Sequence, residues 1–342
     1  MKTTRVDVTS SGVVILGRDV SCDGFHYDYP VRVQTHVHTD HMDDFATSKG
    51  LQDILLSDAT FEFLVVELDA ELPIRSNIRR LPFEDVHDIR SSRLSLLPAG
   101  HMLGSAQVAV ELDDGTRVGY SGDFAWPLDK VIRVDQLVVD STYGSPTSVR
   151  RYSQEDAEGQ LLAIARRKLA KGPLNIRAHR GTVHRGLHVL SQLGDCPFLV
   201  SPRMFAEIEV YRRFGYPIDE VSVMGSSEAR EASETGRFVR FYGTGDRFPI
   251  DPLSGTTITL SAFMAGPDDP VLEYTERALS IALSDHADFL GTLDYIRETG
   301  ARIVITDNSR GGHAIELANE VSRRLGVEAV ASKYEPSYKW GD

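Results

Sequence analysis

The ten residues THVHTDHMDD, Thr35 to Asp44, place His36, His38, Asp40 and His41 within six positions. The residues just ahead, Arg32 to Gln34, read as a short strand. On an extended chain alternate side chains face the same way, so His36 and His38 are expected to meet one metal ion. Asp40 and His41, at the turn into a helix, would reach a neighbouring one. Imidazole nitrogens and carboxylate oxygens form the donor set of an open, catalytic zinc site. The bland alternative is a solvated surface histidine cluster.

Outward from this cluster, short β-rich runs alternate with helical ones. Val13 to Leu16, Ile54 to Leu56, Arg93 to Leu97, Ala106 to Leu112 and Arg117 to Tyr120 read as strands, and Asp113, Asp114 and Gly115 mark a hairpin turn. Gln136 to Asp140 (QLVVD) is an apolar run ending on a carboxylate, the pattern of a buried strand delivering a polar group at its C-terminal edge. After Gly144 the texture becomes βα alternation: helix over Gln154 to Lys171, strand over Leu174 to Ala178, helix over Val183 to Leu193, strand over Phe198 to Ser201 and helix over Met204 to Phe214. That predicts a second, doubly wound α/β unit over 146–260. Strand and helix alternate again through Phe289 to Glu298, Arg302 to Thr306 and about Gly312 to Leu325. With 342 residues, of which 41% are hydrophobic, two domains are expected.

Composition narrows the function classes. No stretch approaches the ~18–20 consecutive apolar residues of a membrane span, and the N-terminus lacks a signal-peptide pattern, so a cytoplasmic chain without membrane contact is expected. Cys22 and Cys196 stand far apart without a CxxC partner, which argues against a thiolate zinc site and reads as two buried thiols. The formal net charge of −13 opposes a nucleic-acid partner at long range. A metal centre and a local basic cleft would offset that within a screening length of ~8–10 Å.

A metal pair needs ligands from distant sequence, placed at strand ends or Gly-rich turns. His101 in PAGHMLGSA and Asp123 in YSGDF have that setting; either alone would more often be structural. The order HxHxDH, AGHxxGSA, SGD and an acidic strand end followed by STYG, Asp140 to Gly144, resembles the β-CASP nucleases of the metallo-β-lactamase superfamily, including their RNA-processing, ligase-associated and Artemis-type members. The resemblance covers nearly the whole chain. It implies a metallo-β-lactamase αββα sandwich built from 1–145 and 261–342, with the doubly wound cap inserted over 146–260.

The resemblance also implies a ligand set. His36, His38 and His101 would bind one zinc, Asp40 and His41 the other, and Asp123 would bridge them. Asp28, in FHYDYP, would support the histidine loop, with Asp23 a second candidate. SDHADFLGTL matches a family motif that makes His286 the phosphate contact and proton donor, oriented by Asp140. Asp40, His286 and Asp140 would thus carry the chemistry around a metal-activated water. One departure stands out. Where the family often has a histidine ligand for the second zinc, this chain reads ITDNSRGGH, leaving Asp307 as its replacement, His313 as a rival, or the second site weak or absent. Two zinc ions are expected, with manganese an alternative.

In the cap, NIRAHRGTVHRGLH gathers Arg177, His179, Arg180, His184, Arg185 and His188 around two glycines. Arg180, His184 and Arg185 are the expected substrate contacts, against the reading of a positive helix face paired with carboxylates. Ser141, Thr142 and Tyr143 adjoin the expected cleft or simply form a turn. The function expected is cleavage of single-stranded DNA or RNA, with DNA slightly favoured and exonuclease action preferred. A non-catalytic β-CASP partner subunit and a small ester or thioester hydrolase are the alternatives. A homodimer or a partner protein stays open.

Overall fold

The computed structural model describes residues 4–68, 71–243, 246, 255–263 and 266–333. The chain divides into two compact units, Met1–Val149 together with His286–Asp342, and Arg150–Asp285. Both are mixed α/β.

In the first unit, six strands pair in chain order: Val6–Val8, Val14–Leu16, Val20–Cys22, Val31–Val33, Asp53–Leu56 and Ile78–Arg80. A seven-stranded sheet runs Glu328–Ala331, Ile303–Thr306, Gln136–Val139, Arg117–Tyr120, Ala106–Glu111, Ser92–Pro98 and Val86–Ile89. The two sheets share one apolar core. Val14, Leu16, Val20 and Val33 from the first pack in the same cluster as Leu94, Leu96, Val108, Val110, Val138 and Ile305 from the second. Side-chain alternation along a strand explains the opposite face. Leu137, Val139 and Val304 turn away from that core and pack with Phe289, Leu293, Ile296, Leu317 and Val321 from helices Phe289–Thr299 and Ala314–Leu325. Each such fully buried side chain contributes roughly 1.5–3 kcal/mol.

The expected hairpin is present: Ala106–Glu111 and Arg117–Tyr120 pair antiparallel, with Gly115 at φ 79° between them. Val6–Val8, Val86–Ile89 and Glu328–Ala331 have no counterpart in the sequence reading. Each is a three- or four-residue strand, too short to show a period.

The second unit holds a sheet in the order Ser222–Val223, Phe198–Val200, Val239–Gly243, Leu174–Ala178, Thr256–Leu260, Ala278–Ile281 and Val271–Thr275, parallel except for the last pair. Its first helix, Gln154–Leu169, opens on a capping box in which the Ser153 hydroxyl accepts the Asp156 N–H and the Asp156 carboxylate accepts the Ser153 N–H. The sequence predicts an insert over 146–260; the second compact unit runs over Arg150–Asp285, because Ala278–Ile281 pairs with Thr256–Leu260 and Val271–Thr275 pairs with Ala278–Ile281 in the same sheet. The cysteine reading also needs adjustment: Cys22 is buried, but Cys196 is only half-buried, and both are free thiols. Among the described residues no helix is long and apolar enough to cross a membrane.

Candidate metal centre

The first unit delivers its polar residues from strand ends. His36 to His41 follow Val31–Val33, His101 follows Ser92–Pro98, Asp123 follows Arg117–Tyr120, Asp140 follows Gln136–Val139, and Asp307 follows Ile303–Thr306. The His101 loop is clamped in place by Gly104. With φ at 86°, that residue lies so close to the helix Asp58–Leu68 that a Cβ would sit 2.7 Å from the Thr60 nitrogen. Its carbonyl accepts the Ser57 and Thr60 hydroxyls at 2.7 and 2.9 Å.

His36, His38, His101 and Asp123 converge as one group able to hold a metal ion. His101 Nε2 lies 3.0 Å from His38 Nδ1, and Asp123 Oδ2 lies 3.5 Å from His36 Nε2 and 3.7 Å from His101 Nε2. His41 enters from the other side, its Nε2 3.2 Å from Asp123 Oδ1 and 3.7 Å from Asp40 Oδ2. The donor chemistry fits a metal. The Nε2 atoms of His36 and His41 are buried and make no hydrogen bond, an arrangement that a metal bond would satisfy.

The electrostatics favour the ligand forms of His36, His38 and Asp123, and the protonated form of His41. Burial, followed by the charge of its histidine neighbours, pushes His38 well below the usual imidazole range, and burial and His41 push His36 down. Neutral imidazole is the form that binds a metal. Burial alone would raise Asp123, but His41 and His36 outweigh it and hold the carboxyl well below its usual range. Burial would likewise lower His41, yet Asp123, Asp40 and Asp23 outweigh both that and Arg310, and hold it up at about 10.

Asp23, the second candidate, supports the histidine loop. It is fully buried; its carboxylate accepts the Thr35 N–H at 2.8 Å and hydroxyl at 2.6 Å, and lies 2.7 Å from His41 Nδ1. Asp28, the first candidate, stands elsewhere: its side chain is 86% exposed and lies 3.9 Å from His26 Nδ1, and among the described residues no contact joins it to the cluster. Beneath the loop, buried Arg32 and Gln34 donate to the main chain: Arg32 to Asp43 and His41, Gln34 to His36 and His41. The sequence reading passed over these two because they lie within the predicted strand.

His286 and Asp140 form the expected pair. His286 Nδ1 lies 3.0 Å from Asp140 Oδ2, and Nε2 lies 3.9 Å from Asp123 Oδ2. The other Asp140 oxygen accepts the Thr142 N–H and hydroxyl at 2.8 and 2.7 Å, so the turn after the strand fixes the carboxylate. The Tyr143 ring stands 5.9 Å from His286.

Asp307 is a different matter. None of the metal-capable groups among the described residues contains it. One of its oxygens accepts the Ser309 N–H at 2.8 Å and hydroxyl at 2.5 Å, and the other pairs with Arg310 at 2.5 Å. The sequence offers Asp307 in place of the histidine ligand; in the structure its carboxylate is engaged by Ser309 and Arg310 instead. His313 starts a helix and lies near Glu316, away from the cluster.

The expected substrate contacts in the second unit are engaged with carboxylates. Arg180 Nε pairs with Glu207 at 3.0 Å, and Arg185 pairs with Glu158 at 2.7 Å and approaches Asp285 at 3.5 Å. His184, expected at the substrate, is buried in the structure and stacks on Tyr211 with ring centroids 4.4 Å apart. Burial, with the charge of Arg180, lowers its pKa to about 3. The unfolded chain, with an ordinary value of ~6.5, therefore takes up this proton first on acidification. The His184 contribution is complete above pH ~6.5 and is lost as pH falls towards 3, by at most about 1.4 kcal/mol per pH unit. His184→Phe should flatten the acid limb of stability against pH in denaturant melts of the full chain with chelator present; parallel limbs would contradict this.

A mixed α/β protein with a buried His/Asp centre able to bind metal is thus what fold and site define. No family model matches the chain. Over 130 residues it is 30% identical to the "Uncharacterized protein in lig 3'region" of Acidianus ambivalens, a match covering 37% of this chain and 92% of that protein. The chain belongs to the family of that protein. It is also 32% identical over 89 residues to the endoribonuclease YSH1 of Gibberella zeae, covering 23% of this chain and only 11% of that enzyme. Its homologues thus include β-CASP members of the metallo-β-lactamase superfamily, at modest identity over part of the chain. Among solved structures, a protein of unknown function from Enterococcus faecalis V583 matches with a TM-score of 0.56 at 14% identity, covering 82% of this chain and 76% of that one, a likeness of fold alone.

Proposed function

We propose that this chain is a metal-dependent phosphodiesterase of the β-CASP type that cleaves single-stranded nucleic acid. The observation that carries the reading is the meeting of the His36, His38, His101 and Asp123 donors with the His286–Asp140 pair at one carboxylate, Asp123. When bound there, zinc or manganese would acidify a water and draw charge from a phosphoryl oxygen. The chain's own residues do the rest. The three histidines and Asp123 hold the ion; Asp23 keeps His41 turned toward Asp123; Asp140 holds His286 Nδ1 so that Nε2 faces the reacting phosphate and delivers a proton to the leaving oxygen. The sequence reading leans to DNA and to exonuclease action, whereas the name endoribonuclease borne by the Gibberella zeae relative supports RNA cut internally. We take RNA as the substrate, with DNA as the rival to be tested.

The test uses purified full chain, zinc analysis, and single-stranded RNA and DNA carrying 5′ or 3′ labels. Wild type should hold zinc and cut RNA to internal fragments. His38→Ala should lose both the metal and the cleavage. If zinc is bound and neither polymer is cut with added zinc or manganese, the phosphodiesterase reading fails.

A further inference from the structure

We infer that the Asp307–Arg310 ion pair replaces the second metal, so that this chain binds one ion tightly where two would otherwise sit. The inference rests on the metal centre proposed above and concerns how many ions it takes. By the resemblance set out above, a second ion would draw on Asp40, His41 and Asp123 with a further donor from the position of Asp307. That donor is committed. The Asp307 carboxylate is held on one oxygen by the Ser309 N–H and hydroxyl and on the other by Arg310 Nη1, and the Asp307 carbonyl accepts the Ser141 hydroxyl at 2.5 Å.

Arg310 is tied down as firmly. Its side chain is 11% exposed, its Nε donates to the Asp40 carbonyl at 3.2 Å, its Nη2 to the Gly12 carbonyl at 2.9 Å and its Nη1 also to Ser309 Oγ at 3.2 Å. A guanidinium keeps its charge at every working pH. Here that charge is anchored to the main chain of Asp40, the residue that would ligate a second ion, and it interacts favourably with the carboxylates of Asp307, Asp23 and Asp40. Two consequences follow. One unit of the negative charge that would attract a second divalent ion is already met, and any such ion would be repelled by a cation that cannot move away without giving up four hydrogen-bond partners. The turn that presents Arg310 continues into Gly312, at φ 87°, where a Cβ would sit 2.4 Å from the Ser141 carbonyl oxygen, so the loop is held against the strand end that carries Asp140.

The experiment is equilibrium dialysis of the full chain against zinc followed by the zinc-to-protein ratio, for wild type, Arg310→Ala and Asp307→His/Arg310→Ala, with thermal melts in chelator to check folding. Wild type should retain one zinc per chain, and the two variants should gain a second, the double variant more tightly. Two tightly held ions in wild type would overturn the inference while leaving the metal-dependent function standing. No zinc in wild type would instead overturn the function. Folded variants that stay at one ion would overturn the role given to Arg310, and the wild-type ratio decides the number of ions even if a variant does not fold.

Discussion

Asp23→Ala should destabilise the protein by roughly 3–5 kcal/mol, the range for leaving a buried charge without its partner. Three donors converge on this fully buried carboxylate: the Thr35 N–H, the Thr35 hydroxyl and the Gln34 amide; His41 Nδ1 lies 2.7 Å away. Truncation strands the Thr35 N–H and leaves His41 Nδ1 without its carboxylate in a place water does not reach, while the Gln34 amide keeps the His36 and His41 carbonyls. The backbone adds to this, because Asp23 sits at φ 56°, a left-handed conformation that the side chain's hydrogen bonds help to hold. Asp23 also fixes the Thr35 hydroxyl, which lies 3.0 Å from Nδ1 of the ligand His36, so the same substitution should weaken zinc binding by about 10–100-fold, the usual consequence of losing a group that orients a ligand histidine. Asp28→Ala is the control, expected within ±0.5 kcal/mol of wild type as at other exposed sites. Denaturant melts in chelator read the first effect and zinc titration the second. Equal behaviour of the two variants would show that neither aspartate supports the histidine loop.

The confusion between those two aspartates shows where sequence reading ends. The histidine cluster was legible because a two-residue period along an extended chain says which side chains share a face, and the structure groups His36 and His38 with His101 and Asp123. The strand-end settings of His101, Asp123 and Asp140 were legible for a related reason: an apolar run that stops on a polar residue beside glycine carries its own geometry. Which of Asp23 and Asp28 turns inward depends instead on how the chain bends between Cys22 and Val31, and no local period encodes that. Arg310 was missed because two of the partners that anchor it are nonlocal: the Gly12 and Asp40 carbonyls come from the far end of the chain. The basic run around Gly181 misled for the same reason. Its charges are local, but the carboxylates paired with them, Glu158, Glu207 and Asp285, arrive from three other segments. The sequence placed the end of the second unit at 260 because Val271–Thr275 and Ala278–Ile281 are assigned to its sheet only by their pairing with Thr256–Leu260 and with each other, which no local pattern encodes.

His286→Ala should slow cleavage by about 10²–10⁴-fold, the span of a positioned general acid, while leaving zinc content unchanged. The geometry separates this residue from the ligand group. His286 is paired through Nδ1 to Asp140 and is absent from the group His36, His38, His101 and Asp123, although with Asp123 and Asp140 it forms a further group able to hold an ion, which is why zinc content is measured beside the rate. A proton donor matters only in proportion to how badly the leaving oxygen needs a proton. The loss should therefore be large on RNA, whose leaving alkoxide is strongly basic, and should shrink on a diester with a p-nitrophenolate leaving group, which departs without protonation. Asp140→Asn should fall between wild type and His286→Ala on RNA, because the amide preserves shape but no longer stabilises a protonated imidazole. Single-turnover rates with both substrates, beside zinc analysis, make the comparison. A loss of equal size on both substrates would mean that His286 binds phosphate without donating a proton. A loss of zinc in His286→Ala would place the residue among the ligands, and the acid would then have to be sought elsewhere.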